Sequence, residues 1–112
     1  MSGAAGGDRV GPIAAITAGT GALVIRLAGE LDGATTPVLH DRLRAVITTG
    51  HSHEIMVDLT DVDFCDAATV RLFVVLATEA ADQGHSLRLW KARPHIVWLF
   101  RQLGAEFLFT DG

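Results

Sequence analysis

The chain has 112 residues, of which 49% are hydrophobic and 20% charged. That is one domain's worth of polypeptide, with enough apolar surface for a core that needs no disulfide or metal staple. Its nine basic residues are scattered and the net charge is −4, which excludes the clustered basic face of a nucleic-acid groove or of a protein held on an anionic membrane.

Cys65 is the single cysteine, so no internal disulfide framework exists and nothing points to secretion. Met1 to Gly11 is rich in glycine and alanine and lacks the basic start and apolar run of a signal peptide. It reads as a disordered lead-in to a domain over 12–112. The longest apolar run, Leu72 to Ala77, is far too short to span a bilayer. A cytoplasmic location follows as the expectation.

Ile13 to Thr17 and Leu23 to Leu27 are short β-prone runs joined by a glycine-containing connector, the pattern of a hairpin. Thr36 then offers an N-cap and Pro37 a first helical position. Leu39, Leu43, Val46 and Ile47 recur at helical spacing, and Gly50 supplies the stop. Ile55 to Leu59 is a mostly apolar run that suits a central strand covered on both faces. A second helix runs from about Ala67 to Gln83, capped by Asp66 and stopped by Gly84. Leu87 to Trp90 is the next strand. Pro94 opens a third helix carrying Ile96, Leu99, Phe100 and Leu103 on one face, and Gly104 ends it. Glu106 to Phe109 reads as a last short strand. The order ββαβαβαβ predicts an α/β domain: a mixed, mostly parallel sheet of about five strands with about three helices.

This order resembles the STAS domain, especially the bacterial anti-sigma-factor antagonists, over roughly residues 12 to 110. The resemblance rests on Gly29-Glu30-Leu31-Asp32, on Asp58-Leu59-Thr60-Asp61-Val62-Asp63-Phe64, on Asp66 at the helix start, and on Gly84 with Leu87-Arg88-Leu89. It implies no cofactor and no active site. It implies a surface that binds an anti-sigma factor of the histidine-kinase-like ATPase type, with a homodimer as a further expectation. In the family the segment matching Asp66-Ala67-Ala68-Thr69 reads Asp-Ser-Ser-Gly, and its second serine is phosphorylated by the partner to break the complex. Here alanines stand at both serine positions, so the usual switch has no hydroxyl. The resemblance also implies a last helix, for which no sequence follows Phe109 beyond three residues. The candidate partner surface is Asp32, Asp63, Asp66, Ala67, Ala68, Thr69, Arg71, Leu72 and Val75. A STAS scaffold or transport-accessory module with another partner is the alternative reading.

Other residues were open to chemistry. Thr69 has the only hydroxyl of the junction and is a candidate displaced phosphoacceptor. On the second helix, Val70, Phe73, Val74, Ala77, Ala80 and Ala81 make the expected core face. Leu72 and Val75, rimmed by Arg71 and Glu79, make the candidate docking patch. Val97 and Trp98 form a second apolar patch or cover a sheet edge. Cys65 and Arg71 have the Cys-x5-Arg spacing of a cysteine-phosphatase loop, but Asp61, Asp63 and Asp66 surround the thiol with the wrong charge. Asp58, Asp61, Asp63 and Asp66, and the pair His51 and His53, read as solvated loops rather than metal ligands.

Overall fold

The computed structural model describes residues 12–19, 21–49 and 54–110. Its elements are β1 (Ile13–Ala18), β2 (Ala22–Leu31), α1 (Thr36–Thr49), β3 (Glu54–Cys65), α2 (Ala67–Asp82), β4 (Ser86–Trp90) and α3 (Pro94–Gln102), then a 3-10 turn over Glu106–Leu108. The sheet order is β1-β2-β3-β4. β1 is antiparallel to β2, and β2, β3 and β4 are mutually parallel. This is the expected mixed sheet with three helices, with four strands rather than about five. The lead-in over 1–11, Gly50, and the His51 and His53 pair lie outside the described residues.

The missing fifth strand is the Glu106–Phe109 segment. Three of its residues close a 3-10 turn, and only Phe109 reaches the sheet, in a single parallel bridge to Leu89. Apolar residues in sequence are ambiguous at this length, and tertiary packing decided for a turn.

Strand alternation puts Leu23, Ile25, Leu27, Ile55, Val57, Leu59, Leu87 and Leu89 in the core. Leu39, Leu43 and Ile47 of α1, Phe73 and Leu76 of α2, and Ile96 and Phe100 of α3 meet them there. The Phe73 and Phe100 rings sit 6.3 Å apart, so α2 and α3 share one side of the sheet. The alternate row, with Val24, Met56, Arg88 and Trp90, is only half-buried. The expectation that β3 is covered on both faces therefore fails for Met56 and Asp58. β3 is also longer than the apolar run suggested. Its buried positions step from Leu59 to Val62 to Cys65, because register shifts against β2 break the two-residue period.

The two predicted glycine stops hold in detail. Gly84 has φ 80°, its N–H donates to Ala81 O at 3.0 Å, and His85 N–H reaches Ala80 O at 2.8 Å. Gly104, at φ 74°, repeats the pattern with Arg101 O and Phe100 O. Both are Schellman ends, where a left-handed residue lets the last carbonyls find donors. At α1 the cap differs from expectation by one residue: Thr36 is already helical, and Thr35 O accepts the Leu39 N–H at 3.1 Å.

Candidate functional site

The junction between β3 and α2 is built around Asp66. Its backbone is extended, with φ −109° and ψ 179°, as an N-cap requires. One carboxylate oxygen accepts the Thr69 N–H at 3.0 Å, and the other accepts the Gly33 N–H at 3.0 Å. A single side chain thus caps the helix and ties it to the β2–α1 loop. The Asp66 N–H in turn donates to Leu31 O at 3.2 Å. Partial burial alone raises the carboxyl, but the Thr69 N–H and hydroxyl and the Gly33 N–H favour the charged form. The net effect holds the Asp66 pKa below the ordinary aspartate range.

Thr69 is fully buried, at 0% exposure. Its hydroxyl lies 2.9 Å from Leu31 O and 3.0 Å from Asp66 Oδ1, and its one proton serves that pair of acceptors. This removes Thr69 from the accessible surface, both as a partner contact and as a phosphoacceptor. It works as a bolt between β2 and α2. Asp32 shapes the facing loop: its carboxylate accepts the Ala34 and Thr35 N–H groups at 3.0 and 3.2 Å.

Ala67 and Ala68 are half-buried at the helix start, Arg71 is exposed, and Val75 lies one turn further at 47% exposure. Leu72 is 8% exposed and belongs to the core, so the patch expected from Leu72 and Val75 is carried by Val75 alone. The core face of α2 is rotated accordingly, onto Thr69, Val70, Leu72, Phe73, Leu76 and Ala80. Ala81 is exposed and Val74 and Ala77 are only half-buried. Phe64, at 48% exposure beside the cap, is an apolar group that the sequence reading left off the surface. Two register slips in β3 bring Val62 and then Cys65 inward and leave Asp63 and Phe64 outside.

Asp63 is exposed but paired, with Arg93 at 2.8 Å, while its carbonyl meets His95 Nε2 at 2.8 Å. Asp61 pairs with Arg26 at 3.0 Å. Asp58 accepts from the N–H and hydroxyl of Thr60 at 2.9 and 2.6 Å. The four aspartates therefore share no partner, and no group of three potential metal ligands forms among the described residues.

Cys65 is buried, and burial together with the adjacent Asp66 charge pushes its thiol up to about 12. A phosphatase nucleophile needs the opposite shift. At about pH 8 such a group is ionised in only about one molecule in ten thousand. We therefore expect no native-state labelling of Cys65 by Ellman's reagent, and full labelling once denaturant unfolds the chain. Rapid labelling of the folded protein would show that the thiol is reachable and ionised.

The family model described as Mlab, STAS domain, matches residues 15–110. This chain belongs to the STAS family. Among solved structures, the domain is similar to the anti-sigma factor antagonist SpoIIAA of Bacillus in its unphosphorylated form, with a TM-score of 0.76, 22% identity, and 88% of this chain and 86% of that chain covered. It is similar to an anti-sigma factor antagonist from Mycobacterium paratuberculosis, with a TM-score of 0.74, 18% identity, and coverage of 85% and 80%. It also resembles part of SLC26A9, with a TM-score of 0.63 and 13% identity, over 76% of this chain and 16% of that one. At these identities the likeness is one of fold. Among the described residues, no helix of this STAS domain is long and apolar enough to cross a membrane.

Proposed function

We propose that this STAS domain is a cytoplasmic protein-binding module of the anti-sigma-factor-antagonist kind, not an enzyme. It docks an anti-sigma factor of the histidine-kinase-like ATPase type through the start of α2, with no phospho-control. Membership of the family supports the class of partner. The observation that carries the constitutive character is the chemistry of the helix start. Ala67 and Ala68 have no hydroxyl, and the hydroxyl of Thr69 is buried between Leu31 O and Asp66. The surface on offer is Ala67, Ala68, Arg71 and Val75, with Phe64 at its head and the Gly33 loop alongside, held by Asp66. Small side chains over a capped helix allow close backbone approach, and an exposed valine and phenylalanine provide the apolar anchors that interfaces use.

The test is calorimetry against an anti-sigma factor of the histidine-kinase-like ATPase type, with and without ATP. The expected result is one affinity under both conditions and no gain of mass on the domain. Binding lost only when ATP is present would overturn the absence of phospho-control. Val75→Asp, on an exposed site, should leave the fold intact and weaken binding about tenfold or more, since a desolvated carboxylate opposes an apolar contact. Ala68→Ser should create an acceptor, read as one added phosphate by mass spectrometry. A STAS scaffold or transport-accessory role is the second reading. The SLC26A9 match, where the same fold occupies a small part of a longer chain, supports it at the level of fold alone. A transporter gene beside this one, in place of an ATPase gene, favours it.

A further inference from the structure

β4 is the last strand of the sheet, and among the described residues its outer edge is met by the Leu89–Phe109 bridge and by Thr110 N–H donating to Leu89 O at 3.0 Å. Along that edge runs an open groove of about 1000 Å3, whose walls include Arg88, Trp90, Lys91, Val97 and Phe107. None of the junction residues lines it.

Its charge is opposite to that of the chain. The protein carries a net −4, yet Arg88 and Lys91 face the groove and neither forms an ion pair among the described residues. Arg88 Nη2 donates to Phe109 O at 3.0 Å, but its Nε is buried with no hydrogen-bond partner there. The guanidinium meets a carbonyl but no carboxylate among the described residues, so its charge is unanswered. Lys91 Nζ rests 4.2 Å from the Trp90 ring centroid. Glu106, the acidic group on the wall, is already engaged by Arg101 at 2.9 Å. Lys91 is also the one non-glycine residue with positive φ among those described, at 60°. Such strain persists where the surroundings fix it, and it gathers at ligand clamps. The apolar wall is equally unpartnered, with Phe107 64% exposed.

We infer that the groove along β4 docks an extended acidic segment of a partner protein, with carboxylates flanking one aromatic or large aliphatic side chain. The carboxylates meet Arg88 and Lys91, and the apolar side chain lies on Phe107 beside Trp90. An open trough at a sheet edge suits an extended peptide better than a small molecule that needs enclosure. This site is independent of the junction and stands whichever partner the junction takes.

The probe is a terminally blocked pentapeptide of four glutamates around a central phenylalanine, titrated into the whole chain and followed by amide NMR shifts. Saturable shifts are expected at Trp90, Lys91 and Phe107. The same peptide with lysines for glutamates should cause none, and glycine for phenylalanine should weaken the effect. Lys91→Glu and Phe107→Ser, both at exposed sites, should each weaken binding about tenfold or more with the melting temperature unchanged, and added salt should weaken it further. Absence of shifts at millimolar peptide, shifts confined to Ala67–Val75, or equal binding by Lys91→Glu would overturn the proposal. So would the same shifts with ATP or inorganic phosphate, which mark a small-anion site, or groove shifts on concentrating the protein alone, which mark a second copy.

Discussion

Phe73→Ala should cost about 3–5 kcal/mol of folding stability, the range for deleting a buried phenylalanine side chain. The ring is fully buried on α2 and lies 6.3 Å from Phe100 of α3. Phe100 in turn meets Phe109 edge-on, at 5.1 Å and 79°. The stack therefore joins two helices to the bridge that closes the outer strand, and both ring contacts loosen when its first ring is removed. Domains of this size are stable by only about 5–15 kcal/mol, so the variant should be close to the margin. Urea unfolding measures it. Phe107→Ala, an equally large truncation at an exposed site, serves as the comparison and should stay within about 0.5 kcal/mol of the parent. If the two variants unfold at similar urea concentrations, the aromatic stack is not a core.

Asp66→Ala should cost about 2–3 kcal/mol. Loss of an N-cap accounts for about 1–2 kcal/mol of this and loss of the charged acceptor of the Gly33 N–H for about 1. The effect carries a pH signature. The folded pKa of Asp66 lies below the ordinary aspartate value, so the folded state favours the ionised form. Its stabilising effect is fully present above the unfolded pKa of about 3.9 and is lost as pH falls through the lower, folded value. The stability difference between the parent and Asp66→Asn should thus shrink as the solution is taken from about pH 7 to about pH 2.5. A difference that stays constant over that range would mean that the carboxylate's charge plays no part.

What the sequence disclosed and what it hid divide along one physical line. The Asp66 cap and the Gly84 and Gly104 stops are local: a carboxylate three residues before an N–H, or a glycine where the chain must turn left-handed, needs no knowledge of the rest of the fold. Thr69 is the opposite case. Its hydroxyl is engaged by the carbonyl of Leu31 at the end of β2, 38 positions away, which no local pattern shows. Leu72 and Val75 share an apolar character and differ only in which side of α2 the sheet occupies. Val62 is turned inward by a first register slip in β3 and a second restores the parity, so the two-residue period that marks a strand is broken just ahead of Phe64.

The bond from Gly33 to Asp66 spans 33 positions, and that from Thr69 to Leu31 spans 38. Neither can form until the ends of β2 and β3 lie side by side, so the unfolded chain does not carry the surface at the start of α2. A ligand that reads this surface therefore binds the folded chain and not the unfolded one. By mass action it should stabilise the whole domain by about 2.7 kcal/mol at a hundred times its dissociation constant. The rise in melting temperature on adding partner is thus a measure of docking that needs no label and no activity.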